Sequence, residues 1–335
     1  MSKTFIPENY KSEMSLYQTQ AAIHMIHEVF ERNLRNALNL IRVSAPLFVE
    51  PSTGLNDDLS GIERAVNFDV KETGREAVVV QSLAKWKRMA LCNYGFPIGE
   101  GIYTDMNAIR RDEEMDNLHS IYVDQWDWEK VITDEDRNVE YLKDTVRRIV
   151  DAICDTYDSL KASFPMLKND VKREVSFVTS QELEDMYPDK TGKEREHLYL
   201  TEHNTAFSMQ IGKKLKSGNK HDGRAPDYDD WELNGDIMFW NDILGCAFEI
   251  SSMGIRVDAK SLDSQLREAG ADNRRSLLFH KMLLANELPL TIGGGIGQSR
   301  LSMLLLEKAH IGEVQSSVWD DETKRICRER GVILL

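Results

Sequence analysis

Residues 109 to 129 read I-R-R-D-E-E-M-D-N-L-H-S-I-Y-V-D-Q-W-D-W-E, two β-like runs joined by a charged connection. Alternate side chains of a strand share a face. The second run therefore sets Ile121, Val123, Gln125, Asp127 and Glu129 on one side and Ser120, Tyr122, Asp124, Trp126 and Trp128 on the other. An amide beside a carboxylate, Gln125 with Asp127, can hold an ammonium group, and Arg110 on the neighbouring run has the fork that suits a phosphate or carboxylate. Taken alone, the same residues also describe a solvated strand face with a hairpin salt bridge.

Other stretches carry complementary groups. H-D-G-R-A-P-D-Y-D-D-W, residues 221 to 231, sets Asp222, Asp227, Asp229 and Asp230 around Arg224, though an acidic loop by itself is usually just solvated. Downstream, Asp236 opens D-I-M-F-W-N and Glu249 ends C-A-F-E. Antiparallel pairing across the intervening turn would bring these two carboxylates together as Mg²⁺ ligands, with Asp242 a competing ligand. Ser82 with Lys87 in Q-S-L-A-K-W-K-R, and Glu249 with Arg256 in F-E-I-S-S-M-G-I-R, each join a hydroxyl or carboxylate to a cation, as recognition of a small zwitterion requires. His24 and His27 lie three apart on a helix without a third ligand signature, which fits packing residues better than a metal site.

In T-I-G-G-G-I-G-Q-S-R-L-S-M-L-L-L, residues 291 to 306, four glycines precede an arginine and a leucine run. This is no Walker A loop, which ends in Gly-Lys-Ser/Thr, and Gly293, Gly294, Gly295 and Gly297 miss the G-x-G-x-x-G spacing of a dinucleotide fingerprint.

The elements that must position these residues follow from periodicity. Leu16, Ile23, Ile26, Phe30, Leu34, Ala37 and Ile41 form one stripe of a helix over 10–42. V-S-A-P-L-F-V-E-P, 43 to 51, reads as an edge strand or bend at Pro46. Strand-like pieces at 67–71 and 76–80, a helix at 83–91 and strands to about residue 128 come next, and Leu142, Val146, Ile149, Ile153, Tyr157 and Leu160 mark a second long helix over 138–163. Strands near 205–211, 236–241 and 246–251 and helices near 260–269 and 274–286 lead to the glycine stretch and its helix. Without repeats or linkers, the 335 residues read as one α+β domain.

Composition removes several function classes. Hydrophobic residues make up 41% of the chain, enough for a sizeable core, and no apolar run approaches the ~20 residues of a membrane span. A net charge of −14 argues against extended contact with nucleic acid or an anionic membrane. Cys92, Cys154, Cys246 and Cys327 lack C-x-x-C spacing, so free thiols in a reducing, cytoplasmic setting are expected, and M-S-K-T-F-I-P-E has no signal-peptide core.

Together, a long helix followed by a Pro46 strand, a strand–loop–strand with Arg110, and a glycine-rich strand before Arg300 on a helix resemble the three signature motifs of class II aminoacyl-tRNA synthetases. Ser82 with Lys87, Gln125 with Asp127, and Glu249 with Arg256 resemble the aspartate pocket of the aspartyl branch. Over nearly the whole chain, D-D-L-S-G, S-L-A-K-W-K-R, Y-V-D-Q-W-D-W-E, R-A-P-D-Y-D-D-W, L-N-G-D-I, E-I-S-S-M-G-I-R-V-D and I-G-G-G-I-G-Q-S-R-L are most similar to the ammonia-dependent aspartate–ammonia ligases, the asparagine synthetase A family.

That resemblance implies a mainly antiparallel central sheet flanked by helices, a single catalytic domain over 1–335 and a cytoplasmic homodimer. It implies asparagine synthesis from aspartate, ATP and ammonia through a β-aspartyl-adenylate, releasing AMP and pyrophosphate. By carry-over, Arg110 meets the ATP α-phosphate, Arg300 the nucleotide and its outer phosphate, Ser120 and Val123 lie near the adenylate, and Asp236 with Glu249 hold Mg²⁺. Asp127 and Gln125 take the α-amino group of aspartate, Lys87 and Arg256 meet carboxylates, Ser82 belongs to the same pocket, and Asp57 and Asp229 are further acidic contacts. The glycines then read as a strand stripped of side chains, so that adenosine lies on its backbone at Gly295 with Arg300 on the first turn of the next helix.

An aspartate-activating tRNA synthetase is disfavoured, because about ten residues before the first helix leave no room for an anticodon-binding barrel. A glutamine-dependent amidotransferase is disfavoured too, because Ser2 rather than a cysteine follows Met1. A binding protein that kept the pocket and lost turnover is the third reading, countered by the intact set of polar positions.

Overall fold

The computed structural model describes residues 3–57 and 63–335. Met1, Ser2 and most of the D-D-L-S-G stretch lie outside them. Helix α1 spans Leu16–Leu38, shorter than the expected 10–42, because the Ser15 side chain caps it in a reciprocal pair with Gln18. It stops at Asn39, whose φ of 60° is left-handed. Ala22, Ile26, Phe30, Leu34 and Leu38 are buried and share one core with Leu142, Val146, Ile149, Ile153, Tyr157 and Leu160 of α3 (Val139–Ser163).

The remaining elements run in chain order: β1 (Leu40–Arg42), β2 (Phe48–Val49), β3 (Asn67–Val70), β4 (Arg75–Val79), α2 (Ala84–Tyr94), β5 (Gly101–Ile109), β6 (Tyr122–Val131), α3, β7 (Ser176–Thr179), α4 (Ser180–Met186), α5 (Gly192–Leu200), β8 (Thr205–Met209), β9 (Asp229–Asn241), β10 (Cys246–Arg256), α6 (Ala259–Glu268), α7 (Leu278–Leu284), β11 (Thr291–Gly297), α8 (Gln298–Leu305) and α9 (Asp321–Glu329). The extended run expected at 43–51 is mostly not strand: β1 ends before it, and only Phe48–Val49 pairs, with β4. A 3-10 turn over Asp272–Ser276 replaces the first part of the helix expected from 274, and α9 was not anticipated.

Among the described residues, eight strands form the main sheet, in the order β1-β5-β6-β11-β10-β9-β8-β7. The expectation of a mainly antiparallel sheet needs correction: the sheet is mixed, with the outer pairs β1–β5 and β7–β8 parallel and antiparallel strands between them. Each parallel pair joins strands separated by helix, α2 in one case and α4 with α5 in the other, which is the crossover parallel pairing demands. Strands β2, β4 and β3 make a small separate sheet.

The alternation read from β6 fixes the two faces. Trp126 and Trp128 are fully buried in the core shared with α1 and α3, and Trp126 packs on Phe30 at 4.8 Å between ring centres. Gln125, Asp127 and Glu129 therefore point to the opposite face. His24 sits 3.6 Å from Glu28, and His27 packs edge-on to Trp126. All four cysteines are free, Cys154 and Cys327 buried. No helix among the described residues is long and apolar enough to cross a membrane.

Candidate active site

The polar face of the sheet centre is floored by β11, and its glycines leave room for charged neighbours. A Cβ at Gly293 would collide with the Glu129 carboxylate and sit 2.6 Å from Arg256 Nη2; one at Gly295 would collide with the Gln125 amide and lie 3.0 Å from Asp127 Oδ1. The register agrees, since Gly295 opposes Asp127 and Gly293 opposes Glu129. The strand was expected to be bare so that a ligand could lie on it. Side chains of β6 and β10 lie over two of its glycines, while Gly295 and Gly297 line the cavity beside them.

Those side chains form a buried lattice of opposite charges. Lys87, from α2, donates through Nζ to Asp127 Oδ1 at 2.6 Å and to the Gly294 carbonyl at 3.0 Å. Arg256, near the end of β10, donates from Nε and Nη2 to Glu129 (3.0 and 2.8 Å) and from Nη1 to Asp229. Thr291 Oγ1 donates to Glu129 Oε1 at 2.7 Å. Burial disfavours every one of these charges, and the partners decide the outcome. It holds the Lys87 ammonium below its ordinary value despite Asp127, and Asp229 above its ordinary value despite Arg256. For Glu129 burial is outweighed by Arg256 and Lys87, so its carboxyl titrates low. Five charges of mixed sign with hydrogen-bonding capacity on both sides suit a ligand bearing both ammonium and carboxylate.

Next to this lattice is a cavity of 240 Å³ lined by Arg110, His119, Ser120, Val123, Gln125 and Gly295, with Arg300 and Glu249 at its wall. Arg300, on the first turn of α8, donates from Nη1 to the Glu249 carbonyl at 3.1 Å, and its Nη2 lies 2.8 Å from His119 Nε2. An arginine cannot accept, so His119 Nε2 is the acceptor, and its Nδ1–H points to Asp116 Oδ1 at 2.9 Å. Among the described residues, Arg110 has a buried Nε with no hydrogen-bond partner, which leaves that donor for a ligand. Ser120 Oγ contacts Ser317 Oγ at 2.7 Å. A second cavity, of 400 Å³, shares Arg110, Glu113, Glu249 and Ser252 with the first and adds Arg224 and Tyr228.

Asp236 and Glu249 lie on antiparallel β9 and β10, but not as direct partners: Glu249 opposes Met238, Asp236 opposes Ser252, and a bulge falls between Glu249 and Ser251. Arg224 pairs with Asp236 Oδ2, while Asp236 Oδ1 is buried without a hydrogen-bond partner among the described residues. Burial, reinforced by Glu249, pushes the Asp236 carboxyl up to about 7 against the pull of Arg224. An orphaned buried carboxylate oxygen beside a second carboxylate fits a divalent cation that takes its other ligands from phosphate and water. Among the described residues no cluster of three His, Cys, Asp or Glu side chains is placed to hold a metal. Asp242 is exposed at the β9–β10 turn.

Ser82 and Asp57 complete the expected residues. Ser82 Oγ accepts from Ala84 N at 3.2 Å, helping start α2. Asp57 is buried, its carbonyl accepts from Gln81 Nε2 at 2.7 Å, and its charge acts on Tyr228. The structure also brings in His119, Asp116, Glu129 and Arg224, which had not been assigned to the site. Glu129 shares the face of Gln125 and Asp127, a signal present in the sequence, whereas the His119–Arg300 contact joins residues 181 positions apart.

Residues 17–331 match the family model described as aspartate-ammonia ligase. An aspartate–ammonia ligase of Clostridium tetani is 60% identical, covering 99% of this chain and 98% of its own. One from Bacillus cytotoxicus is 56% identical over 97% and 99%. Among solved structures, an asparaginyl-tRNA synthetase of Pyrococcus horikoshii complexed with asparaginyl-adenylate superposes with a TM-score of 0.63 at 17% identity, covering 94% of this chain and 74% of that one. The Entamoeba histolytica asparaginyl-tRNA synthetase gives 0.62 at 14% identity, over 90% and 66%. At such identity these likenesses establish the class II synthetase-like fold.

Proposed function

The chain belongs to the aspartate–ammonia ligase family, and from that membership we propose how its site performs the reaction. The activity is ATP-dependent synthesis of L-asparagine from L-aspartate and ammonia. The observation that carries the mechanism is that Gln125 and Gly295, on the zwitterion side, line the same 240 Å³ cavity as Arg110 and Arg300.

Asp127 and Gln125 take the α-ammonium of aspartate, Lys87 and Arg256 meet its carboxylates, and Ser82 and Asp229 complete the pocket. The side-chain carboxylate, not the α-carboxylate, faces the nucleotide, the reverse of a tRNA synthetase. One of its oxygens bonds to the α-phosphorus as the bond to pyrophosphate breaks in line, giving a β-aspartyl-adenylate. Arg110 stabilises the charge growing on the α-phosphate, Arg300 holds the nucleotide and its outer phosphate, and Ser120, Val123 and the Gly295 backbone border the adenylate. No protein nucleophile is needed. Ammonia then forms the C–N bond at the β-carbonyl and AMP leaves, with Asp57 or Asp229 binding ammonium and accepting its proton. Asp236 and Glu249 would hold Mg²⁺, which supplies charge neutralisation at the phosphates.

Residues 1–335 act as one catalytic domain, in the cytoplasm. A homodimer is proposed through the α1–β2 side, where Ile41, Leu47, Phe48 and Phe68 are exposed; sedimentation showing only monomer at micromolar protein would contradict it. The reaction is tested by incubating the protein with aspartate, Mg·ATP and ammonium and quantifying products. Equal asparagine, AMP and pyrophosphate are expected; ADP with phosphate, or AMP formed only when tRNA is added, would overturn the reading.

A further inference from the structure

The glycine that begins α8 cannot cap it. Gly297 occupies the N-cap position with no side chain to offer, and a Cβ there would sit 3.1 Å from Arg300 Cβ. A side-chain oxygen at the N-cap ordinarily accepts from the second or third helical N–H. Here the second is Ser299 N, and it donates to Asp124 Oδ1 at 3.1 Å, while Ser299 Oγ donates to Asp124 Oδ2. Asp124 belongs to β6, 175 residues earlier in the chain. Gln315 Nε2 donates to the same Ser299 Oγ at 3.0 Å, and Gln298 Nε2 donates to Asp105 Oδ1 on β5 at 3.0 Å. The first turn of α8 is thus tied to the sheet by carboxylates on neighbouring strands, and the next residue is Arg300.

We infer that Asp124 is a positioning residue for Arg300: from β6 it supplies the missing cap of α8 and so fixes where the arginine leaves the helix. The guanidinium is then held at its far end by His119 and the Glu249 carbonyl. A carboxylate is suited to this place, since it meets the unpaired N–H groups and the positive end of the helix together. The arrangement also links the two halves of the site. Asp124 faces α8 while the adjacent Gln125 faces the zwitterion lattice, so one strand sets both the amino-acid contact and the anchor of the nucleotide contact.

The inference rests on the reading of Arg300 as a nucleotide contact, and the variants separate the two. Asparagine formation is measured for Asp124→Ala, Asp124→Asn, Arg300→Ala and the Asp124→Ala/Arg300→Ala pair, with KM for ATP and for aspartate and the melting temperature. Asp124→Ala is expected to raise KM for ATP about tenfold with KM for aspartate within twofold, and Asp124→Asn, which keeps a capping oxygen, to recover most of the loss. Arg300→Ala is expected to be worse, and the pair no worse than Arg300→Ala alone. If Asp124→Ala does not fold, Asp124→Glu, which displaces the oxygens by one methylene, takes its place with the same expected split. A parental KM for ATP in the Asp124 variant beside a raised one in Arg300→Ala overturns the positioning role, as does a fully additive pair. An unchanged KM for ATP in Arg300→Ala overturns instead the reading of Arg300 on which it rests.

Discussion

Lys87 and Asp127 form a buried ion pair, Nζ to Oδ1 at 2.6 Å, directly over the glycine strand whose Gly294 carbonyl accepts a second hydrogen bond from Lys87 Nζ. Removing the cation leaves Asp127 buried and uncompensated, a change that costs roughly 3–5 kcal/mol. Lys87→Met should therefore lower stability by about that much and raise KM for aspartate at least ~100-fold. Adding Asp127→Asn should restore much of the stability and none of the aspartate binding. Denaturant titration with steady-state kinetics checks both; a Lys87→Met protein with parental stability and KM contradicts the pair's role.

Gly295 faces Gln125 and Asp127 so closely that a single methyl cannot enter without moving the Gln125 amide. Gly295→Ala, and more strongly Gly295→Val, should weaken both aspartate and ATP by at least about tenfold, or ~1.4 kcal/mol, before the fold fails. Isothermal titration on a variant with parental circular dichroism makes the comparison. Unaltered affinities in that folded variant would show that the space over the strand is not used by ligand.

His310 is fully buried, accepts from Gly312 N through Nδ1 at 3.0 Å and packs edge-on against Trp319. Burial lowers its pKa to about 4. A histidine held neutral in the folded state and free to protonate when unfolded stabilises the protein above pH ~6.5, and that contribution is lost as pH falls toward 4. The loss amounts to about 3 kcal/mol. His310→Asn, which keeps an acceptor and cannot titrate, should be the less stable protein at neutral pH, with the gap closing between pH 7 and 4 in urea melts. A gap that does not change with pH removes the linkage.

Asp57 is the acidic group proposed, with Asp229, to receive the proton of ammonium. Asp57→Asn should cut amide synthesis at least ~10-fold at low ammonium while leaving aspartate-dependent adenylate formation, and the loss should shrink as pH and ammonium rise. Full activity across a grid of pH and ammonium concentrations takes Asp57 out of the mechanism.

How much of this could be read beforehand depends on whether the signal was local. Helices α1 and α3 and the β11–α8 turn carry their own periodicity and were legible, as was the parity of β6 that puts Gln125 and Asp127 opposite the buried tryptophans. Strand β9 starts at Asp229 rather than at the expected 236: D-D-W-E-L-N has the composition of a solvated loop, but Arg256 pairs with Asp229 and Arg137 with Asp230 from distant segments. Helix α9 hid in a charged run, although the Asp320 cap and the acidic first turn were visible. The His119–Arg300 and Asp124–Ser299 contacts have no local signature, because each depends on where separate parts of the chain meet. The parallel ends of the sheet are likewise a matter of topology, which alternation along single strands does not encode.

The central claim, that the side-chain carboxylate of aspartate is activated on the α-phosphorus, is tested most directly by isotope transfer. Aspartate labelled with ¹⁸O in its β-carboxylate is turned over with Mg·ATP and ammonium, and the AMP is read by mass spectrometry. The account predicts AMP carrying one ¹⁸O per asparagine formed; unlabelled AMP, or label delivered only from an α-carboxylate-labelled substrate, would contradict it.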